Sequence, residues 1–280
     1  MSQKRQHAGK SESKRKRSKT YHCAKERYAG KSSFSVQPNM SGVMVTCTRG
    51  RENRAAKEVL DLFNEYLESL YPDAKLEASG DDENDDQKDD LEASIAKEVA
   101  AIKEGKKNKI FANIPMNLDC VIFIRTKAPV EPVQFVHHIL TDMKKHQVKK
   151  TRYVSRLLPV EMTCQANMDD IERVARQIVT PKFNTSNEDG SITSKAFAIV
   201  ARVRNCTKID RSEVIRTIAS TIGKDHKVDL GNPELSIIVE ICQNICMMSV
   251  VKDFVELKKY NLESLLGLND PKGSKEDSNQ

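Results

Sequence analysis

"HKVDLGNPELSIIVEICQNICMMSV", residues 226–250, decides how this chain is built. Leu235, Ile237, Val239 and Ile241 alternate with Ser236, Ile238 and Glu240, the two-residue period of a strand. Residues 242–244 read as a tight hairpin connection, and residues 245–251 as the returning strand. Ahead of the hairpin, Pro233 has no N–H to give to a central ladder, and Gly231 with Asn232 permits a tight backbone turn. Residues 229–233 therefore form a polar knot at the entrance of the strand.

Toward the N-terminus, "AFAIVARVR" (196–204) is a second apolar strand. It leads to a helix opened by Asp210, with Glu213 three residues on, that buries Val214, Ile215, Ile218 and Ile222 and closes on a left-handed Gly223. An earlier helix has Asp169 as its N-cap, with Glu172 three residues on, and carries Ile171, Val174, Ala175, Ile178 and Val179 until Pro181 stops it. A polar loop over 184–194 joins the two segments. After Val251, Phe254, Leu257, Leu262, Leu265 and Leu266 predict a short terminal helix, and a polar tail starts at Asn269.

The first half has its own pattern. "GVMVTCT" (42–48) is a short strand, and "RGRE" (49–52) turns it into a helix with Ala56, Val59, Leu60, Phe63, Leu67 and Leu70 on one face. Strands follow over 109–114 and 120–125, then a helix over 132–146 with Pro132 in its first turn, then a strand over 152–158. The resulting order, β-α-β-β-α-β, is that of ferredoxin-like folds. The expected class is α+β, in four segments: a disordered basic arm (1–40), a ferredoxin-like domain (41–148) with a disordered acidic insertion (about 73–107), a second domain (149–256), and a short helix with a polar tail (257–280).

Charge is distributed in blocks that the net value of +6 conceals. Residues 1–20 hold eight basic side chains against Glu12, and residues 81–92 hold eight acidic ones against Lys88. The "KRKRSK" core of the arm (14–19) leaves three readings open: a solvated tail, a nuclear-targeting signal or a nucleic-acid contact. No apolar run approaches the roughly 20 residues of a membrane span, and the N-terminus lacks a signal-peptide core. The expectation is a soluble intracellular chain with no membrane partner.

Seven scattered cysteines, an odd number, suit reduced core thiols. Cys242 and Cys246 lack His or Cys partners, so they are expected to pack rather than to bind metal. The 11 glycines form no phosphate-cradling loop, and His137, His138 and His146 sit on or near one helix without a nucleophile. His226 is at most a phosphate or base contact. Paired carboxylates concentrate in the acidic insertion, where the fixed geometry of acid–base work is not expected. No catalytic residue, metal or cofactor is predicted.

What the chain does carry is arginine at strand ends. Ala198, Val200, Arg202 and Arg204 share one face of a strand that turns cationic at its C-terminal end, with Asn205, Lys208 and Arg211 just beyond, Arg216 on the following helix, and Lys224 and Lys227 after it. In the first half, Arg49, Arg51 and Arg54 follow a strand, Arg125 ends another, and Arg152 and Arg156 share a face of a third. Such clustering is the footprint of phosphate contacts. Few aromatics accompany these residues, so shape-based recognition of folded RNA fits better than a stacking platform.

"VDLGNPELSIIVEI" (228–241), preceded by "FAIVARVRN" (197–205) and "RSEVIRTIASTIG" (211–223), resembles the signature end of a THUMP domain, an RNA-binding module of tRNA-modifying proteins. "GVMVTCTRGRE" (42–52) and "TRYVSRLLPVEMTC" (151–164) resemble the stand-alone THUMP proteins that assist tRNA acetylation. The resemblance covers about 42–251, apart from the acidic insertion. It implies a ferredoxin-like domain followed by an α/β THUMP domain, in a non-catalytic adaptor that presents the D-arm of serine and leucine tRNAs to a separate RNA cytidine acetyltransferase making N4-acetylcytidine. It also implies tRNA contacts from Arg202, Arg204, Asn205, Lys208, Lys227 and Asn232, with the first-domain arginines extending the surface. Nuclear or nucleolar residence, also reaching the cytoplasm, and no stable homo-oligomer are expected. Two other readings stay open: an RNA-modifying enzyme with an unrecognised site, and a protein-interaction scaffold in RNA processing.

Overall fold

The computed structural model describes residues 36–72, 109–184 and 193–268. Both apolar patterns of the first half converge on one sheet. β1 (Gly42–Cys47) is followed by α1 (Glu52–Leu70), β2 (Phe111–Ile114), β3 (Val121–Thr126), α2 (Pro132–His146) and β4 (Val154–Val160). The strands lie in the order β2-β3-β1-β4, with every neighbouring pair antiparallel. β1 occupies an inner position because its run of Val43, Met44 and Val45 is buried on both faces. On α1, Ala55, Ala56, Val59, Leu62, Phe63, Tyr66 and Leu67 form the buried stripe that the three- and four-residue spacing requires. Pro132 opens α2, where its missing N–H leaves no helical bond unmade.

The second half builds a five-stranded sheet. Its elements are β5 (Met162–Gln165), α3 (Met168–Ile178), α4 (Thr180–Phe183), β6 (Ala196–Arg204), α5 (Arg211–Ile222), β7 (Lys227–Val228), β8 (Leu235–Cys242) and β9 (Ile245–Val251). The order is β5-β9-β8-β6-β7, with β6 parallel to β7 and β8 and the other pairs antiparallel. A 3-10 turn (Lys258–Tyr260) and α6 (Leu262–Leu265) close the described chain.

β8 is buried along its whole length. Leu235, Ile237, Val239 and Ile241 pack with α3 and α5 in one core, while Ile238 and Cys242 on the opposite face join the core of the first sheet. The second sheet is thus covered twice, by its own helices and by the first half. Each isoleucine so enclosed contributes about 1.5–3 kcal/mol relative to exposure.

Several expectations shift. The segment ending at Met40 is ordered from Val36, which is 4% exposed in the first core. Asn39 N–H donates to the Thr163 carbonyl at 2.7 Å, and Thr163 N–H donates to the Met40 carbonyl at 2.9 Å. Residues 1–35, the remainder of the expected arm, lie outside the described residues, as do the acidic insertion and the tail beyond 268. The expected boundary at 148/149 falls ahead of β4, but β4 pairs with β1, so the chain passes between sheets at Glu161. Phe254, Leu257, Tyr260, Leu262 and Leu265 fill the first core, which draws the C-terminal segment back onto the N-terminal half.

The N-cap of α3 is Asn167 rather than Asp169: its side chain accepts from Asp170 N–H at 2.8 Å from an extended backbone, and both aspartates fall in the first turn. Pro181 lies inside the short α4. Gly223 has φ 93° and ψ 172°, a positive-φ conformation other than the left-handed helical one. The short strands β5 and β7 had no counterpart among the expected elements, because runs of four and two residues carry little periodicity.

Gly42 is closely packed in the first sheet. A Cβ there would meet the Ile124 carbonyl oxygen at 2.3 Å and Phe123 Cζ at 2.8 Å. Gly42→Ala is therefore expected to lower unfolding free energy by about 1–3 kcal/mol in chemical denaturation, through overpacking. A change below about 0.5 kcal/mol would show that the strand pair opens without cost.

Candidate nucleic-acid interface

The two sheets meet over a buried charge. Glu240, on β8, is 3% exposed and stands opposite Arg202 in the parallel β6–β8 register. Arg202 Nη1 is 3.7 Å from Glu240 Oε1, and Arg204 Nε donates to Glu240 Oε2 at 3.4 Å. The charge of Arg156, from β4 of the first sheet, acts on the same carboxylate. Two guanidiniums thus face one carboxylate and the charge of a third acts on it, and the surplus positive charge lies on side chains that keep 35% exposure at Arg202 and Arg204.

Both distances exceed the roughly 2.7–2.9 Å of a strong charge-assisted bond. Burial consequently outweighs the arginines and pushes the Glu240 carboxyl up from its ordinary value. Burial likewise pulls the Arg156 guanidinium below its usual value, with Arg202 adding to the effect and Glu240 opposing it.

A second group of arginines surrounds the end of β1. Arg49 Nη2 donates to Asp119 Oδ2 at 3.2 Å. The guanidinium carbons of Arg51 and Arg152 lie 5.7 and 5.5 Å from the centre of the Tyr153 ring, and Arg54 Nη1 is 3.5 Å from its hydroxyl. The loop that carries Arg49 and Arg51 is tied down by Glu52, whose Oε1 accepts from Gly50 and Cys120 N–H at 3.1 and 3.0 Å. Charges of both groups act on Cys120. Burial raises that thiol, with Glu52 and Asp119 adding to the effect, while both Arg49 and Arg204 oppose it.

The other predicted residues are distributed more widely. Asn205 and Lys208 line a cleft of about 660 Å³ with Gln165, Asn167, Gln243 and Asn244, beside the β8–β9 hairpin. Arg211 lays its Nε on the Ala201 carbonyl at 2.8 Å, which engages it with the β6 backbone. Arg216 is exposed on α5. Lys224, Lys227 and Asn232 gather at the far end of β6. Asp229 Oδ1 accepts from Gly231 and Asn232 N–H at 2.9 and 3.0 Å, and Asp229 N–H donates to the Phe197 carbonyl at 2.8 Å. The knot is therefore a rigid turn beside the start of β6, about 23 Å of strand from Arg204. Its strand does neighbour that of Arg202 and Arg204, but parallel pairing sets them at opposite ends.

Arg125 pairs with Gly42, at the end of β1 away from Arg49. His226 accepts from Lys195 N–H at 3.2 Å and packs edge-on to Phe183 at 5.0 Å, a structural placement. The sequence reading missed Glu240, although it is the only charge in the apolar run "LSIIVEIC", and Tyr153, although it adjoins Arg152.

Residues 165–251 match the family model described as THUMP domain. This places the five-stranded sheet and its arginine-bearing strand in a known class of module. The chain is 36% identical over 241 residues to "THUMP domain-containing protein 1" of Mus musculus, covering 82% of this chain and 66% of that one. It is 35% identical over 257 residues to "tRNA acetyltransferase TAN1" of Saccharomyces cerevisiae, covering 84% of this chain and 87% of that one. A solution structure of the THUMP domain of THUMP domain-containing protein 1 is 35% identical, with TM-score 0.26, covering 30% of this chain and 84% of that one. The chain belongs to the family of THUMP domain-containing proteins that includes these relatives.

Removing the seam carboxylate tests its role. Glu240→Ala is expected to destabilise the fold by about 1–3 kcal/mol, because a buried side chain is truncated and the partly exposed Arg202 and Arg204 lose their anion. The pH dependence has a definite sign. With its folded pKa above the unfolded value, Glu240 contributes stability that is full below the ordinary range near about 4.3 and is lost as pH rises through the raised value. The stability difference between the parent protein and Glu240→Gln should therefore move in the parent's favour as pH falls from about 7 toward that range. Movement in the opposite direction in urea titrations would contradict the raised carboxyl.

Proposed function

We propose that this protein binds tRNA and serves N4-acetylcytidine formation as a non-catalytic adaptor, presenting the D-arm of serine and leucine tRNAs to a separate RNA cytidine acetyltransferase. The observation that carries the RNA-binding part is the arginine surface running from Arg51, Arg54 and Arg152 to the surplus charge of Arg156, Arg202 and Arg204. Kinship with a yeast relative named for tRNA acetylation supports the choice of reaction. The strand order β2-β3-β1-β4 supports reading the first sheet as a ferredoxin-like domain. Across both sheets the surface suits a folded RNA recognised through its backbone and 2′-hydroxyls.

The yeast relative's name also favours a second reading, in which the chain is itself an acetyltransferase. The two diverge when purified protein, acetyl-CoA and tRNA are combined without other proteins. The adaptor reading expects no acetylated cytidine until the separate acetyltransferase is added, and turnover by this chain alone defeats it. In cells lacking the protein, nucleoside mass spectrometry should find N4-acetylcytidine lost from serine and leucine tRNAs. Unchanged levels would refute the specific function and leave RNA binding standing.

Binding itself should weaken steeply with salt, with log affinity falling by about 0.7–0.9 per phosphate neutralised for each unit of log salt. The double substitution Arg51→Gln with Arg54→Gln is expected to lower that slope by about two. A salt-independent affinity for tRNA would overturn the electrostatic reading.

A further inference from the structure

Among the arginines at the end of β1 stands one aromatic ring that the RNA reading above does not use. Most rings of the described residues are committed to the cores: Phe63, Phe111 and Phe135 pack on one another, Phe183 packs on Phe197, and Phe254 on Tyr260. Tyr153 is half-buried, resting against the first core with arginines on its outer side. We propose that Tyr153 is a stacking site for an unpaired nucleobase of RNA, with Arg51, Arg54 and Arg152 taking the phosphates on either side. This rests on the RNA-binding reading and adds a ligand class to it: single-stranded, not only duplex, RNA.

The geometry has the two properties that stacking needs. First, the ring is carried on a fixed stem. Arg152 and Tyr153 N–H both donate to Glu58 Oε2, at 2.9 and 3.0 Å, and the Tyr153 carbonyl accepts from Thr48 N–H at 2.9 Å. A base landing on it thus loses little affinity to ordering the protein. Second, the arginines are held loosely. At 5.7 and 5.5 Å from the ring centre, Arg51 and Arg152 sit in the outer part of the roughly 6 Å cation–π range. The Arg54 contact to the hydroxyl, at 3.5 Å, is at the limit of a hydrogen bond.

Phosphates compete well for guanidiniums held so weakly, because they offer full negative charge and bidentate geometry. Their departure uncovers the ring, whose π-face accepts any base that is not already stacked in a helix. Arg156 follows three residues along in β4 and adds its charge to the group around Glu240.

The chain contains no tryptophan, so Tyr153→Trp introduces a single reporter. A single-stranded oligonucleotide of mixed sequence is expected to quench its emission on binding, whereas a blunt duplex with the same number of phosphates is not. Tyr153→Leu should weaken single-strand binding by roughly 5- to 150-fold, the range of one lost base–aromatic stack, and leave duplex binding within about twofold. Its salt slope should stay unchanged because no phosphate contact is removed, and Tyr153→Phe should bind as the parent does.

Bound single strand without quenching would overturn the proposal, as would equal losses on both RNAs or a Tyr153→Phe variant as weak as Tyr153→Leu. If the parent protein binds neither RNA, the RNA-binding reading itself fails. Thermal unfolding of each variant establishes that the fold is intact, and the tryptophan reporter gives its answer without removing the aromatic ring.

Discussion

Glu240 is the constraint on which the arrangement depends. A carboxylate on a strand buried along both faces is costly to desolvate, and isolated it would drive the two sheets apart. It is tolerated because β6 supplies Arg202 and Arg204 from the same sheet and β4 supplies Arg156 from the other. Hydrophobic contact across the seam is non-directional; the ion cluster adds a register, since the parallel β6–β8 pairing sets Arg202 directly opposite Glu240 with Arg204 beside it. The C-terminal segment closes the same seam from outside by returning Phe254, Tyr260 and Leu262 to the first core.

That cluster also accounts for where cationic surface is available. Three arginines around one acid leave charge that water or a polyanion must balance, and the arms of Arg202 and Arg204 are half-exposed to do so. An RNA phosphate placed there would interact with side chains already positioned by the core, so binding and the union of the two halves draw on the same groups. The knot at residues 229–233 has another character. Asp229 closes it through Gly231 and Asn232 N–H and ties it to Phe197 of β6, Leu230 within it is 76% exposed, and it stands at the opposite end of β6 from Arg204.

The elements themselves were legible because period-two and period-3.6 patterns are local. β6 and α2 were bounded to the residue by apolar alternation and by Pro132, and Asp210 capped α5 as its spacing predicted. Legibility failed where two local signals compete or where the signal is too short. Asn167 and Asp169 are both good caps, and backbone geometry chose between them. β7 spans two residues, and nothing in so short a run distinguishes strand from turn.

For the interface, the sequence by itself determined which residue types are present and on which face of a strand they fall: Arg202 and Arg204 on one side of β6, Arg49, Arg51 and Arg54 at the exit of β1. It also placed Glu240 at an alternating position of an apolar strand, though not what surrounds it. Only the tertiary structure decided that the charge of Arg156 acts on that carboxylate, that Arg125 and Asn232 lie at remote strand ends, and that Tyr153 meets Arg51 and Arg54 from far along the chain. The reason is physical: side-chain direction follows from local backbone period, whereas strand order, parallel or antiparallel pairing and register arise from burying two sheets against each other. One choice of pairing is enough to set neighbouring strands' functional residues together or about 23 Å apart.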